Sequence, residues 1–157
     1  MPGEALLLAI ASIAAIIAGF TAVTAALTPP GGSWTAVHRI RQRAIVSTSF
    51  NVVFEALLPV ISFAWLDDVR EAVVVSSALV ALYTAWIVVS RGRQLYHAGG
   101  LQTWGGRLLF VPGTAALLLF ALNALLFGSV AVYALALCIQ LSVAVISFYQ
   151  LVAAASS

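Results

Sequence analysis

The run LLFVPGTAALLLFALNALLFGSVAVYALALCIQLSVAVISFYQLVAA, residues Leu108–Ala154, decides the architecture. It carries no charged residue. It is far too long for one helical crossing of a bilayer, which takes roughly 20 apolar residues at about 1.5 Å of rise each. Gly128-Ser129, near its middle, is a tight-turn signal. The run therefore divides into two helices, Leu108–Phe127 and Val130–Ala154.

Working outward, three further stretches are long and apolar enough to span. Ala5–Leu27 has no charge, Ala44–Trp65 is interrupted only by Glu55, and Ala72–Ser90 has none. The expected fold is an all-α, polytopic integral membrane helix bundle of five transmembrane helices forming a single transmembrane domain over residues 1–157. The alternative is four helices, with the last run folded as a re-entrant hairpin. Composition points the same way: 63% of residues are hydrophobic and 8% charged, with a mean hydropathy of +1.11. A soluble domain is about 25% charged. The first segment is expected to stay in the protein, because it lacks a basic leading region and ends in Thr28-Pro29-Pro30-Gly31-Gly32 rather than a small-residue cleavage site.

Orientation follows from arginine, since all seven basic side chains are arginine. Arg39, Arg41 and Arg43 lie between the first two helices, and Arg91, Arg93 and Arg107 between the third and fourth. With five crossings these segments share one side, and the excess of basic residues makes that side cytoplasmic. Glu4, Asp67, Asp68, Arg70 and Glu71 fall on the other. The expected topology is a multi-pass protein of the plasma or inner membrane, N-terminus outside and C-terminus cytoplasmic. Compactness, the lack of organelle signals and the use of arginine without lysine suggest a prokaryotic source.

Ser33 is an N-cap candidate after the Pro-Pro-Gly-Gly breaker, and Trp34, Val37 and Ile40 recur at helical spacing against Arg39 and Arg43. The pattern predicts an interfacial extension of the second helix from residue 33; a plain basic loop is the alternative. Arg91–Arg107 reads as a cytoplasmic loop in which Gly99-Gly100 and Gly105-Gly106 either flank a short surface helix or make a mobile connector, and His97 in it as solvated surface.

Phosphate-binding, dinucleotide, zinc-protease and nucleophile-elbow motifs are absent. The two histidines, His38 and His97, and the lone Cys138 supply neither a metal set nor a catalytic cluster. No enzyme, cofactor or metal is expected, and so few charges make no face for nucleic acid.

Glu55 stands out. It lies eleven residues beyond Ala44, about 16 Å along the helix, which is near the midplane of a core about 30 Å thick. An acid at that depth is costly and faces a bundle interior or water. Thr48, Asn51, Glu55 and Ser62 recur at spacings of three, four and seven and form one polar stripe. Pro59 has no N–H for the carbonyl of residue 55, four positions earlier, so a free carbonyl and a carboxyl occur at one depth. Such oxygen-rich, locally broken backbone is typical of ion and substrate sites in membranes. Gln140 reaches nearly the same level, on a stripe with Tyr133 and Ser147. Helix 3 offers Ser76, Ser77, Tyr83 and Thr84, and helix 4 offers Asn123. Two readings stay open: an ion or proton site made by Glu55, Asn51, Thr48, Pro59 and Gln140, or a neutral carboxyl acting as interhelical glue.

In the first helix, Ala11, Ala15 and Gly19 recur every four residues, as do Ala14, Ala18, Ala22 and Ala26. Small residues so spaced let helices approach closely, and tight packing on two sides is expected. Thr21, Thr24 and Thr28 make a short polar line, best explained by bonds back to their own helix.

The leading functional reading is a small homo-oligomeric ion channel or ion-conducting pore in the lipid bilayer, with Glu55 handling cations or protons and the pathway between protomers. The alternatives are a non-conducting membrane subunit that assembles or regulates a partner, and a proton-coupled dimeric transporter.

Overall fold

The computed structural model describes residues 1–26, 36–97 and 104–155, with side chains described over 1–23, 45–90, 93 and 110–149. Five α-helices follow one another: α1 (Glu4–Ala26), α2 (Ala36–Leu66), α3 (Val69–His97), α4 (Trp104–Leu122) and α5 (Val130–Ala155). A single π-helical turn, Asn123–Phe127, extends α4. Each helix contains a stretch long and apolar enough to cross a membrane, and the described residues contain no strand. The last apolar run is two helices, each long and apolar enough to cross by itself, as the five-helix reading expects. This is a multi-pass membrane protein.

The turns follow from their residues. Asp67 closes α2 in the left-handed conformation, with φ of 54°, its N–H bonded to the carbonyl of Phe63 at 2.9 Å. A short polar side chain tolerates that region better than most. Asp68 then caps α3, its Oδ1 accepting the N–H of Glu71 at 2.8 Å, as an N-cap side chain does for the third helical residue. At the α4–α5 turn Gly128 has φ of 57°. A Cβ there would stand 2.8 Å from Arg70 Cγ, so the turn also needs a glycine for close approach to α3. The Gly128 N–H reaches back to the carbonyl of Asn123 at 2.8 Å, which closes the π turn.

Gly3 lies against Val130 and Gly128 against Arg70 and Val74. The start of α1, the α2–α3 turn and the α4–α5 turn therefore share one end of the bundle. The helix stretches holding Arg39, Arg41, Arg43, Arg91, Arg93 and Arg107 lie at the opposite end, as expected for an odd number of crossings.

One expectation needs correction there. Within Arg91–Arg107 the described residues are helical: α3 continues through His97 and α4 starts at Trp104 with Gly105-Gly106 in its first turn. A helix satisfies its own backbone, so nothing obliges it to stop at the hydrocarbon boundary. The expected helical extension of the second helix is present from Ala36, continuous with the span. Ser33 and Trp34, like Gly99-Gly100, lie outside the described residues, as do the side chains of Arg39, Arg41, Arg43, Arg91 and Arg107.

Half of the α5 span is buried, the largest share of the five, against 17% of the α4 span. α2 packs on α1, α3 and α5, and α5 on α1, α2 and α4. The α2–α5 seam is thus the centre of the bundle, lined by Ile45, Val52, Ala56, Tyr133, Leu137 and Ala144. Outside it, Ile16, Phe54, Trp65, Leu82, Trp86 and Leu125 are all more than 60% exposed. Water would tolerate no such surface on a monomer; lipid suits it.

Burial in α1 cuts across the two small-residue lines. Leu7, Ile10, Ala11, Ala14, Ala18 and Thr21 are buried, whereas Ala15, Gly19 and Ala22 are exposed. A Cβ on Gly19 would meet nothing within 4 Å. Of the three expected packing residues, Ala11 is therefore buried within the protomer, whereas Ala15 and Gly19 face outward. Thr21 donates to the Ile17 carbonyl at 2.7 Å, a bond back to its own helix.

Candidate functional site

Pro59 is fully buried within an unbroken α2. Its ring nitrogen cannot donate, so the carbonyl of Glu55 loses its ordinary helical partner. Tyr133 of α5 takes that place: its Oη donates to the Glu55 carbonyl at 2.6 Å. The Tyr133 ring is held by Phe120 of α4 in an edge-to-face contact, with centroids 5.2 Å apart. Two turns further along α5, Gln140 Nε2 donates to Glu55 Oε1 at 3.1 Å. One residue of α2 is thus gripped twice by α5, through its main chain and through its side chain. Glu55 is 3% exposed and Gln140 7%.

The grip leaves two oxygens over. Glu55 Oε2 and Gln140 Oε1 are buried and have no hydrogen-bond partner. Ser49 Oγ and Thr84 Oγ1 share that condition. Ser49 is six residues from Glu55, about 9 Å along the helix, and is not part of this pair.

Of the expected site residues, the structure joins Glu55, Pro59 and Gln140. It does not join Asn51 or Thr48 to them, and this corrects the single polar stripe. Asn51 faces α3, where its Oδ1 accepts from Tyr83 Oη at 3.2 Å. Ser62 meets Ser76 of α3 at 3.2 Å. Thr48 is buried but seven residues from Glu55, about 10 Å along the helix and beyond bonding reach. Residues three, four and seven apart share a face only approximately, and here that spread divides them between two neighbouring helices.

A second buried cluster was not foreseen in this form. Asn123 Nδ2 donates to Ser77 Oγ of α3 at 2.9 Å, while its Oδ1 accepts the N–H of Ser129 at 2.9 Å. It ties α3, α4 and the first turn of α5 together. The signal available was an asparagine five residues ahead of a Gly-Ser turn. Among the described residues, no three His, Cys, Asp or Glu side chains come together to hold a metal ion.

No protein-family profile, curated protein or solved structure matches this chain.

Proposed function

We propose that this multi-pass membrane protein is a small ion-handling protein of a prokaryotic plasma membrane, assembled from several copies, in which Glu55 takes up a cation or a proton inside the bilayer. The observation that carries this reading is Glu55 itself. It is the one acidic or basic side chain away from the ends of the five spans, and it is buried with one carboxyl oxygen unengaged. Ionisable groups at that depth are costly and mark ion pathways and proton relays. Because Glu55 looks into the protomer, a route along the α2–α5 seam fits better than one at a junction between protomers. The same carboxyl would serve an ion-conducting pore or a proton-coupled transporter.

A specific observation favours a second reading. Tyr133 and Gln140 make Glu55 a cross-link between α2 and α5, which is what a non-conducting membrane subunit would need from it. Reconstitution separates the two. Purified protein in liposomes, driven by a proton gradient and then by gradients of sodium and potassium, should pass one of these ions under the first reading and none under the second. The orientation proposed, arginine-bearing ends inside, rests on the excess of basic residues at that end.

A further inference from the structure

We propose that the ion held at Glu55 is a proton, and that it completes a two-bond ring between the Glu55 carboxyl and the Gln140 amide. The proposal rests on Glu55 being the ion site and names the ion. A carboxylic acid presents one O–H donor and one carbonyl acceptor, and a primary amide presents N–H donors and one carbonyl acceptor. Set against each other they form two antiparallel hydrogen bonds. One of these exists: Gln140 Nε2 donates to Glu55 Oε1 at 3.1 Å. The atoms that would make the other, Glu55 Oε2 and Gln140 Oε1, are the two oxygens left without partners. Both are acceptors when Glu55 is ionised, so neither can satisfy the other. One proton on Glu55 Oε2 turns it into the missing donor and satisfies both atoms at once.

A metal cation fits worse. Hard cations take about six oxygen ligands, and this pair offers two. The Glu55 carbonyl and Tyr133 Oη already bond each other. An ionised carboxylate with neither cation nor proton would leave a charge buried beside an unpaired amide oxygen, which is strongly disfavoured. From the helices packed on α2, the titratable side chain that comes to Glu55 is Tyr133 of α5. Tyr83 of α3 is turned to Asn51, and Arg70, Glu71 and Glu4 lie at helix ends.

The test is infrared spectroscopy of the full-length protein in liposomes at neutral pH, with carboxyl-labelled glutamate and subtraction of Glu55→Gln. The chain has three glutamates, Glu4, Glu55 and Glu71, so the difference isolates one group. The expected result is a protonated-acid carbonyl band that belongs to Glu55, unchanged by sodium, potassium or calcium. Gln140→Leu should shift that band as the amide partner is lost; if that variant does not fold, the wild-type band still decides. Carboxylate bands alone at Glu55, or loss of the acid band on adding a cation, would overturn the proposal. An acid band together with no ion flux would keep the proton assignment and remove the ion-handling reading. Flux with Glu55 ionised would do the reverse.

Discussion

Tyr133→Phe isolates the bond that replaces the one removed by Pro59. Phenylalanine keeps the ring, its burial and the edge contact with Phe120, so the change removes one hydroxyl. The Glu55 carbonyl it leaves has no helical donor to return to. A buried unsatisfied carbonyl costs about 1–3 kcal/mol. Hydrogen bonds between membrane helices average about 0.6 kcal/mol and reach about 1.7 kcal/mol. The 2.6 Å length and burial of this bond place it near the top of that range, so the expected loss is about 1.5 kcal/mol. In a Pro59→Ala background the N–H of residue 59 can bond the carbonyl directly, and the same substitution should then cost about 0.5 kcal/mol. The coupling between the two positions is therefore about 1 kcal/mol, well above the 0.3–0.5 kcal/mol within which independent sites add. Unfolding of the four proteins in mixed micelles with increasing denaturing detergent reads it. Equal losses for Tyr133→Phe in both backgrounds would refute the account of the Glu55 carbonyl.

On α1, Ala18→Leu should destabilise by about 1–3 kcal/mol through overpacking, whereas Gly19→Leu, facing open space, should leave protomer stability within about 0.5 kcal/mol; the same detergent unfolding checks both, and a severe Gly19→Leu would mean that this face is covered. Asn123→Ala should cost about 1–3 kcal/mol by leaving Ser77 Oγ and the Ser129 N–H without their partner; Asn123→Asp keeps the acceptor for Ser129 and should retain part of the loss. For topology, in a Cys138→Ala background, a cysteine at Asp68 should react with an impermeant reagent from outside intact cells, and one at Arg93 only after permeabilisation. Reversed labelling would invert the orientation proposed from arginine.

The spans were legible in the sequence because hydrocarbon imposes one simple demand, a long apolar helix. The odd count followed from Gly128-Ser129 alone. The Glu55–Gln140 pairing was legible because each residue sits about 15 Å into its span from opposite faces of a core about 30 Å thick, so both come near the midplane. The free carbonyl at Glu55 was legible too, since it follows from proline covalent structure. What could not be read was azimuth. Asn51 and Glu55 are one turn apart, yet one turns to α3 and the other to α5, and that choice depends on where the neighbouring helices pack. The same limit governs α1, where the two small-residue lines are equivalent in sequence, yet Ala11, Ala14 and Ala18 are buried and Ala15, Gly19 and Ala22 exposed. Helix ends beyond the hydrocarbon, such as those at His97 and Trp104, escaped because hydropathy marks the membrane boundary and not the end of the helix.

The central claim, that Glu55 handles an ion, is tested most directly by flux through matched proteoliposomes of wild type and Glu55→Gln across a range of pH. Glutamine keeps the shape and can pair with Gln140 through two amide hydrogen bonds, so the variant should fold and incorporate equally well. It has no proton to exchange. The account predicts pH-dependent flux in the wild type that is abolished, or made independent of pH, in the variant. Equal flux in both with the same pH dependence, or none in the wild type, would contradict it and leave Glu55 as a cross-link between α2 and α5.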